Sequence, residues 1–301
     1  MGILNPHIEI FCKFKKKYPK LFLKKTLTIS QQAVYANEKE AKSILLKNNI
    51  KIKKISPIFN KINKIPDWFN TKYSENINAQ YLFSLLGSNQ VLSSDSSKYE
   101  NPDLIIDLNK KINKKLSNQF DNIIDIGTLE HVFDTHSALE NYIKMLKKGG
   151  HLLIAVPCSN MIDHGFYSFS PTLFYDYFSC NHFKILGSYL RESSPFMYEY
   201  KSKIYEYKEL GLEIPFISDR AVEFIILAKK IKNVRKINKP IQSVYLNKKG
   251  WKKNETHSNL KLKKGLYFFI KKVVFGSLFY LPFFFQKLIF LKIRGKNIKK
   301  I

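Results

Sequence analysis

The chain reads as an α/β protein built on a mainly parallel sheet with helices on both faces, followed by a C-terminal amphipathic helical tail. Two observations predict the sheet. Short apolar runs alternate with amphipathic stretches from residue 76 to 232, the pattern of strands joined by crossover helices. One of those runs, "FDNIIDIG", is apolar almost without interruption, as expected of a strand covered on both faces. The tail is predicted by "LKLKKGLYFFIKKVVFGSLFYLPFFFQKLIFLKIRGKNIKKI", which has no acidic residue.

Taken in order, "NEKEAKSILLK" from Asn37 to Lys47 has helical spacing, and "IKIKKI" from Ile50 to Ile55 alternates like a strand. "INAQYLFSLLG" is a second helix with Gly87 at its C-cap. "QVLSSD" and "PDLIIDLN" are strands closing at Asp95 and near Asp107, and "FDNIIDIG" is a third. The next helix runs from about Ser137 to Lys148, with Leu139, Tyr142, Ile143 and Leu146 on one stripe and Gly149–Gly150 ending it. "HLLIAVP" is a strand stopped by Pro157, and "SPTLFYDYFSCNHF" a helix with Ser170 as N-cap and Pro171 in its first turn. "KILGSYLRE" and "AVEFIILAKKI" are two late strands. The organisation is thus an N-terminal segment (1–75), an α/β domain (76–232), a polar linker (233–260) and the basic aromatic tail (261–301).

The formal charge of +27 rests on 51 Lys and Arg against 24 Asp and Glu. Only Arg191, Arg220, Arg235 and Arg294 are arginines. Arginine is the usual reader of phosphate forks and base edges, so the charge reflects a lysine- and asparagine-rich coding bias better than a nucleic-acid surface. The three cysteines, Cys12, Cys158 and Cys180, have no metal-type spacing and fit a reducing compartment. The N-terminus lacks the order of a secretory signal, and its Met-Gly start carries Pro6 where a myristoylation signal wants Ser or Thr. The expected location is cytoplasmic, peripheral on the inner membrane face.

From Asp95 to Phe183 the motifs "DSSKYENPDLIIDLN", "FDNIIDIGTLEHVFD", "MLKKGG", "HLLIAVP" and "HGFYSFSPTLFYDYF" together resemble class I S-adenosylmethionine-dependent methyltransferases. More narrowly they look like methyltransferase-like proteins of bacterial surface-polysaccharide clusters. The resemblance implies a Rossmann-like sheet, S-adenosylmethionine as cofactor, and a hydroxyl or amine of a sugar or glycan precursor as acceptor. It places Asp95 on the ribose hydroxyls, Asp107 on the adenine amino group, and Gly127, Thr128 and Leu129 along the methionine end. A carboxylate accepting two hydrogen bonds from a vicinal diol is chemically suited to the first role, although acids also end strands simply to start turns.

The chain departs from the pattern where a glycine-rich loop should follow the first strand, since no glycine lies between Gly2 and Gly87. That departure favours, as the alternative, a catalytically inactive scaffold or regulator on the same fold. A basic nucleic-acid-binding protein is the second alternative, favoured by charge alone.

Glu130, His131 and His164 are the candidate catalytic residues. His131 is placed to draw a proton from an acceptor, or Glu130 merely favours a helix start and His131 packs beneath it. A divalent ion held by all three is a further possibility, as in methyltransferases with an E-x-x-E-H run. Here Gly127 stands at the first Glu of that run, so no metal ligand is assigned. In the tail, Lys264, Lys271, Lys272, Gln286 and Lys287 share a sector roughly 160° wide on a helix of ~100° per residue. The remaining circumference is aromatic and aliphatic, which fits a helix lying in an anionic bilayer interface, kinked at Pro282.

Overall fold

The computed structural model describes residues 2–53, 76–193, 202–208, 216–246 and 298–300. In chain order the elements are β1 (Gly2–Ile3), α1 (Asn5–Lys17), β2 (Lys24–Ile29), β3 (Ala33–Asn37), α2 (Glu38–Lys47), β4 (Asn76–Asn78), α3 (Ala79–Leu85), β5 (Ser88–Asp95) and β6 (Leu104–Ile105). They continue with β7 (Phe120–Ile126), α4 (Thr135–Met145), β8 (Leu146–Ser159), α5 (Pro171–Cys180), β9 (Phe183–Glu192), β10 (Lys203–Tyr207), β11 (Val222–Lys230), α6 (Ser243–Leu246) and β12 (Ile298–Lys300).

Nine strands form the main sheet in the order β12-β10-β9-β11-β8-β7-β2-β5-β6. From β6 to β8 every neighbouring pair is parallel. Beyond β8, the strand β11 inserts antiparallel between β8 and β9, and the edge strands β10 and β12 follow antiparallel. The chain starts the sheet at β2, builds outward to β5 and β6, then returns to the other side of β2 with β7 and β8. The strand order therefore reverses between β2 and β7, the topological switch point at which Rossmann-like sheets open a crevice.

Both faces of the sheet are covered. Ile124 and Ile126 of β7 face Phe11, Phe14 and Phe83 from the α1 and α3 side, while Ile123 points into a second core with Leu139, Tyr142, Phe174 and Phe178 of α4 and α5. Each such side chain removed from water contributes about 1.5–3 kcal/mol. The alternation within one short strand explains why it reads as continuously apolar.

Of "IKIKKI", residues 50–53 form no strand, and 54–55 lie outside the described residues. Ile50 folds back after a left-handed Asn49 (φ 54°) and closes α2, donating its N–H to Leu45 O at 2.9 Å. The sheet instead begins with β2, "KKTLTI". There Leu27 and Ile29 alternate with Thr26 and Thr28, all four buried. The threonine hydroxyls are satisfied internally, Thr26 Oγ1 with Ser88 Oγ at 2.8 Å and Thr28 Oγ1 with Leu92 O at 3.5 Å. Buried threonine made this strand look half-exposed in sequence. Helix α4 also ends at Met145, three residues before Lys148, because Leu146 already enters β8.

Residues 233–246 run back across α5: Asn238 N–H donates to Asn181 Oδ1 at 2.8 Å and Ser243 N–H to Asp176 Oδ2 at 3.0 Å. The tail helix expected over 264–287 lies outside the described residues, whereas Ile298–Lys300 form the edge strand β12. Among the described residues no helix is long and apolar enough to cross a membrane.

Candidate active site at the switch point

The switch point is framed by the turns that leave β2 and β7. After β7 the chain turns through Gly127 at φ 85°, a left-handed conformation that a side chain would strain. Asp125 fixes this turn from below. Its Oδ1 accepts the Thr128 N–H at 2.8 Å and its Oδ2 accepts the Tyr142 hydroxyl at 2.8 Å. Burial pushes the Asp125 carboxyl up to about 6, with the Tyr142 and Thr128 hydrogen bonds opposing the rise. Leu129 is fully buried behind the turn.

The loop after β2 is Ser30–Gln31–Gln32, without glycine. Ser30 takes the left-handed conformation itself, at φ 59°. Gln32 is buried, and its Nε2 donates to Ile29 O at 2.6 Å, to Ser30 Oγ at 2.9 Å and towards Thr128 Oγ1 at 3.4 Å. Thr128 Oγ1 in turn donates to Ile29 O at 3.2 Å. Gln32 thus spans the switch point where a glycine loop was expected. Its Oε1 is buried without a hydrogen-bond partner.

Asp95 and Asp107 lie on the same edge of the sheet, because β5 and β6 are parallel with Asp95 opposite Ile105. Both hydrogen bonds to Asp95, from Ser96 Oγ at 3.3 Å and Ser97 N at 3.2 Å, fall on Oδ1. Asp107 is more fully engaged. Its Oδ1 accepts from Asn109 N at 3.0 Å and its Oδ2 pairs with Lys110 Nζ at 3.0 Å. The Lys110 contact and the Asn109 amide hold its carboxyl below the usual range.

Glu130, His131 and His164 come together above the Gly127 turn, one ligand-type atom of each lying within 4.8 Å of the others. Glu130 is fully buried and neither carboxyl oxygen has a hydrogen-bond partner. Its nearest polar neighbour among these groups is His164 Nε2, 3.8 Å from Oε1. Burial, with Asp125 adding like charge, pushes Glu130 up to about 9. The two imidazoles meet edge to face with ring centres 5.5 Å apart. Loss of water around the His131 ring, then the neighbouring His164, hold that imidazole below its ordinary range, and burial does the same for His164.

Gly165 makes this meeting possible. A Cβ there would stand 3.0 Å from Glu130 O and 3.2 Å from His131 Nδ1, and its φ is +121°. The loop is locked by Phe166 N–H donating to Glu130 O at 2.8 Å.

Sequence reasoning missed three participants at this edge. Gln32 lies outside every motif that the sequence offered, and Asp125 sits inside "FDNIIDIG" as a polar residue that nothing local marks as a turn-fixing group. The third is a buried network in which Glu223 Oε2 accepts from Arg191 Nε at 2.8 Å and bonds His7 Nε2 at 2.7 Å. Leu4 N–H donates to His7 Nδ1 at 2.9 Å, which leaves Nε2 as the protonated nitrogen. Arg191 and His7 hold Glu223 down to about 2 despite its burial. Glu223 lies opposite Pro157 at the end of β8, so the network ties α1 to the same sheet edge.

No family model and no curated protein sequence matches the chain. Among solved structures, the chain is similar to an S-adenosylmethionine-dependent methyltransferase from Archaeoglobus fulgidus, with 10% identity, 74% of this chain and 94% of that one covered, and a TM-score of 0.37. It is also similar to a putative S-adenosylmethionine-dependent methyltransferase from Listeria monocytogenes (12% identity, 74% and 96% covered, TM-score 0.38). A third is the Burkholderia thailandensis 1,6-didemethyltoxoflavin-N1-methyltransferase, solved with bound 1,6-didemethyltoxoflavin and S-adenosylhomocysteine (10% identity, 75% and 79% covered, TM-score 0.36). By its own strand order and its two flanking cores, this chain has a Rossmann-like α/β fold with helices on both faces.

Proposed function

We propose that the chain transfers a methyl group from S-adenosylmethionine to a hydroxyl or amine of a sugar or glycan precursor, working at the cytoplasmic face of the membrane. The observation that carries this reading is the pair Asp95 and Asp107, closing adjacent parallel strands on the edge that borders the switch point. Asp95 fits a ribose diol, because its own turn uses only one carboxyl oxygen. Asp107 accepts an adenine amino group only in competition with Lys110. At the methionine end the orphaned Gln32 Oε1 is an acceptor without a donor, and an α-ammonium group supplies one.

When bound, the cofactor supplies an electrophilic methyl group on a sulfonium. His131 takes the proton that the acceptor oxygen or nitrogen releases, and its depressed basicity keeps the imidazole neutral and able to do so at neutral pH. The sugar acceptor is drawn from the resemblance of the central motifs, and the membrane face from the lysine-striped aromatic tail.

A second reading, a scaffold or regulator that binds no cofactor, is favoured by one specific observation: the Gln32 side chain crosses the crevice and is hydrogen-bonded there. Calorimetry with S-adenosylmethionine and S-adenosylhomocysteine separates the two. The enzyme reading expects saturable heat that Asp95→Ala weakens. No heat with either compound leaves the scaffold.

A further inference from the structure

We propose that Glu130, His131 and His164 form a binding site for one divalent first-row transition cation, with zinc as its representative. A buried carboxyl group is stable only when a hydrogen-bond network, a proton or a cation compensates it. Glu130 has no network, being fully buried with both oxygens lacking partners, which leaves a proton or, in its place, a cation. The 3.8 Å to His164 Nε2 is too long for a hydrogen bond. What surrounds the carboxyl instead is a second and a third ligand atom, all within 4.8 Å.

Metal bonds of about 2.0–2.2 Å to imidazole nitrogen and carboxylate oxygen bring such donors to roughly 3–3.5 Å from one another. Small rotations of the two histidines cover the difference. Their backbones are already fixed, since Gly165 lets the His164 loop close on Glu130 O and His131 Nδ1, and the Phe166 N–H clamps it to Glu130 O. Two imidazoles and one carboxylate suit zinc, manganese or ferrous iron, and not magnesium or calcium, which take oxygen donors. Three protein ligands leave at least one coordination position open. His131 is on the exposed side of the cluster, so that position is available to water or to an acceptor oxygen. With the ion bound, His131 is a ligand and not the proton acceptor of the proposed methyl transfer, so the two roles exclude one another; the site itself stands whether or not the switch point holds S-adenosylmethionine.

The test uses the untagged full-length protein stripped with a chelator and then dialysed. Zinc is titrated against a chromophoric competitor, and cobalt is added separately to record its visible spectrum. One tight equivalent is expected. Glu130→Gln, His131→Ala and His164→Ala are each expected to weaken zinc about tenfold or more and to alter the cobalt bands, with Asp107→Ala unchanged. Thermal unfolding identifies any variant that fails to fold, and the other two then decide. No stoichiometric binding to the wild type overturns the proposal, as does binding that survives in all the folded variants, which would place the ion elsewhere. Metal binding without S-adenosylmethionine binding would keep this site and remove the methyl-transfer reading alone.

Discussion

Gln32 and Thr128 meet across the switch point, with the Gln32 Nε2 standing 3.4 Å from Thr128 Oγ1 while the same nitrogen donates to Ile29 O at 2.6 Å. Those donations fix the orientation of the amide and leave Oε1 as the buried, partnerless atom. A charge-assisted hydrogen bond to that oxygen is worth about 1.5–3 kcal/mol. Gln32→Ala should therefore weaken S-adenosylmethionine by about tenfold or more in calorimetry. If the side chain merely fills the crevice, the same variant binds the cofactor more tightly than wild type, and the anchoring role is wrong.

Asp125 carries the turn beneath Thr128, and its raised pKa makes stability fall with rising pH. An unfolded carboxyl ionises from about 3.8, but the folded one holds its proton to about 6. Between those values the folded state binds more protons, so ionisation favours unfolding, by on the order of 3 kcal/mol in total. Tyr142 donates to the ionised form. Tyr142→Phe should raise the folded pKa further, so that its deficit against wild type widens from pH 4 to pH 8 in urea unfolding. A deficit independent of pH would show that Tyr142 acts through packing alone.

Glu223 works in the opposite direction. Its folded value of about 2 lies below the ordinary 4.5, so its contribution is complete above about pH 4.5 and is lost as pH falls through 2. Arg191→Met removes one partner and leaves the carboxylate buried with His7. The expected loss is about 3–5 kcal/mol at pH 7, with a shallower acid limb than wild type. Guanidinium unfolding at pH 7 and pH 3 checks both parts.

The parallel half of the sheet was legible because the buried middles of β7 and β8 carry Ile123, Ile124 and Ile126, and Leu152 to Val156. Asp95 and Asp107 were legible as strand-end acids, and Glu130–His131 as a pair at the mouth of a strand. Strand β2 was not, because Thr26 and Thr28 are buried polar residues whose partners, Ser88 and Leu92, are distant in sequence. With β2 hidden, the absence of glycine between Gly2 and Gly87 gave no sign that the turn after the first strand lies at Ser30. Gln32 and the His7–Glu223–Arg191 network share that cause. Their meaning lies in contacts across as many as 216 residues, which no local pattern encodes.

The tail makes its own prediction from sequence. Drawn as a helix, Lys264, Lys271, Lys272 and Lys287 share a sector roughly 160° wide, and each lysine near an anionic bilayer is worth about 1 kcal/mol. Changing all four to glutamate should move the protein from floating to sedimenting fractions with phosphatidylserine liposomes, while neutral liposomes show little difference. Equal flotation of the two proteins would remove the electrostatic attachment.

The proposed methyl transfer rests its acceptor chemistry on His131, and loss of that residue can be separated from loss of the cofactor. The imidazole packs edge to face with His164 and clusters with Glu130, a group to which neither Asp95 nor Asp107 belongs. His131→Ala should thus leave S-adenosylmethionine affinity within about twofold, a change of under 1 kcal/mol, while lowering turnover about 10²–10⁴-fold. Added imidazole should restore part of that turnover if the ring serves as a proton acceptor, because a small base can occupy the exposed space the side chain leaves. Saturating zinc should restore it if the ring serves only as a ligand, by refilling a weakened site. Turnover unchanged in the variant would place the chemistry on another group.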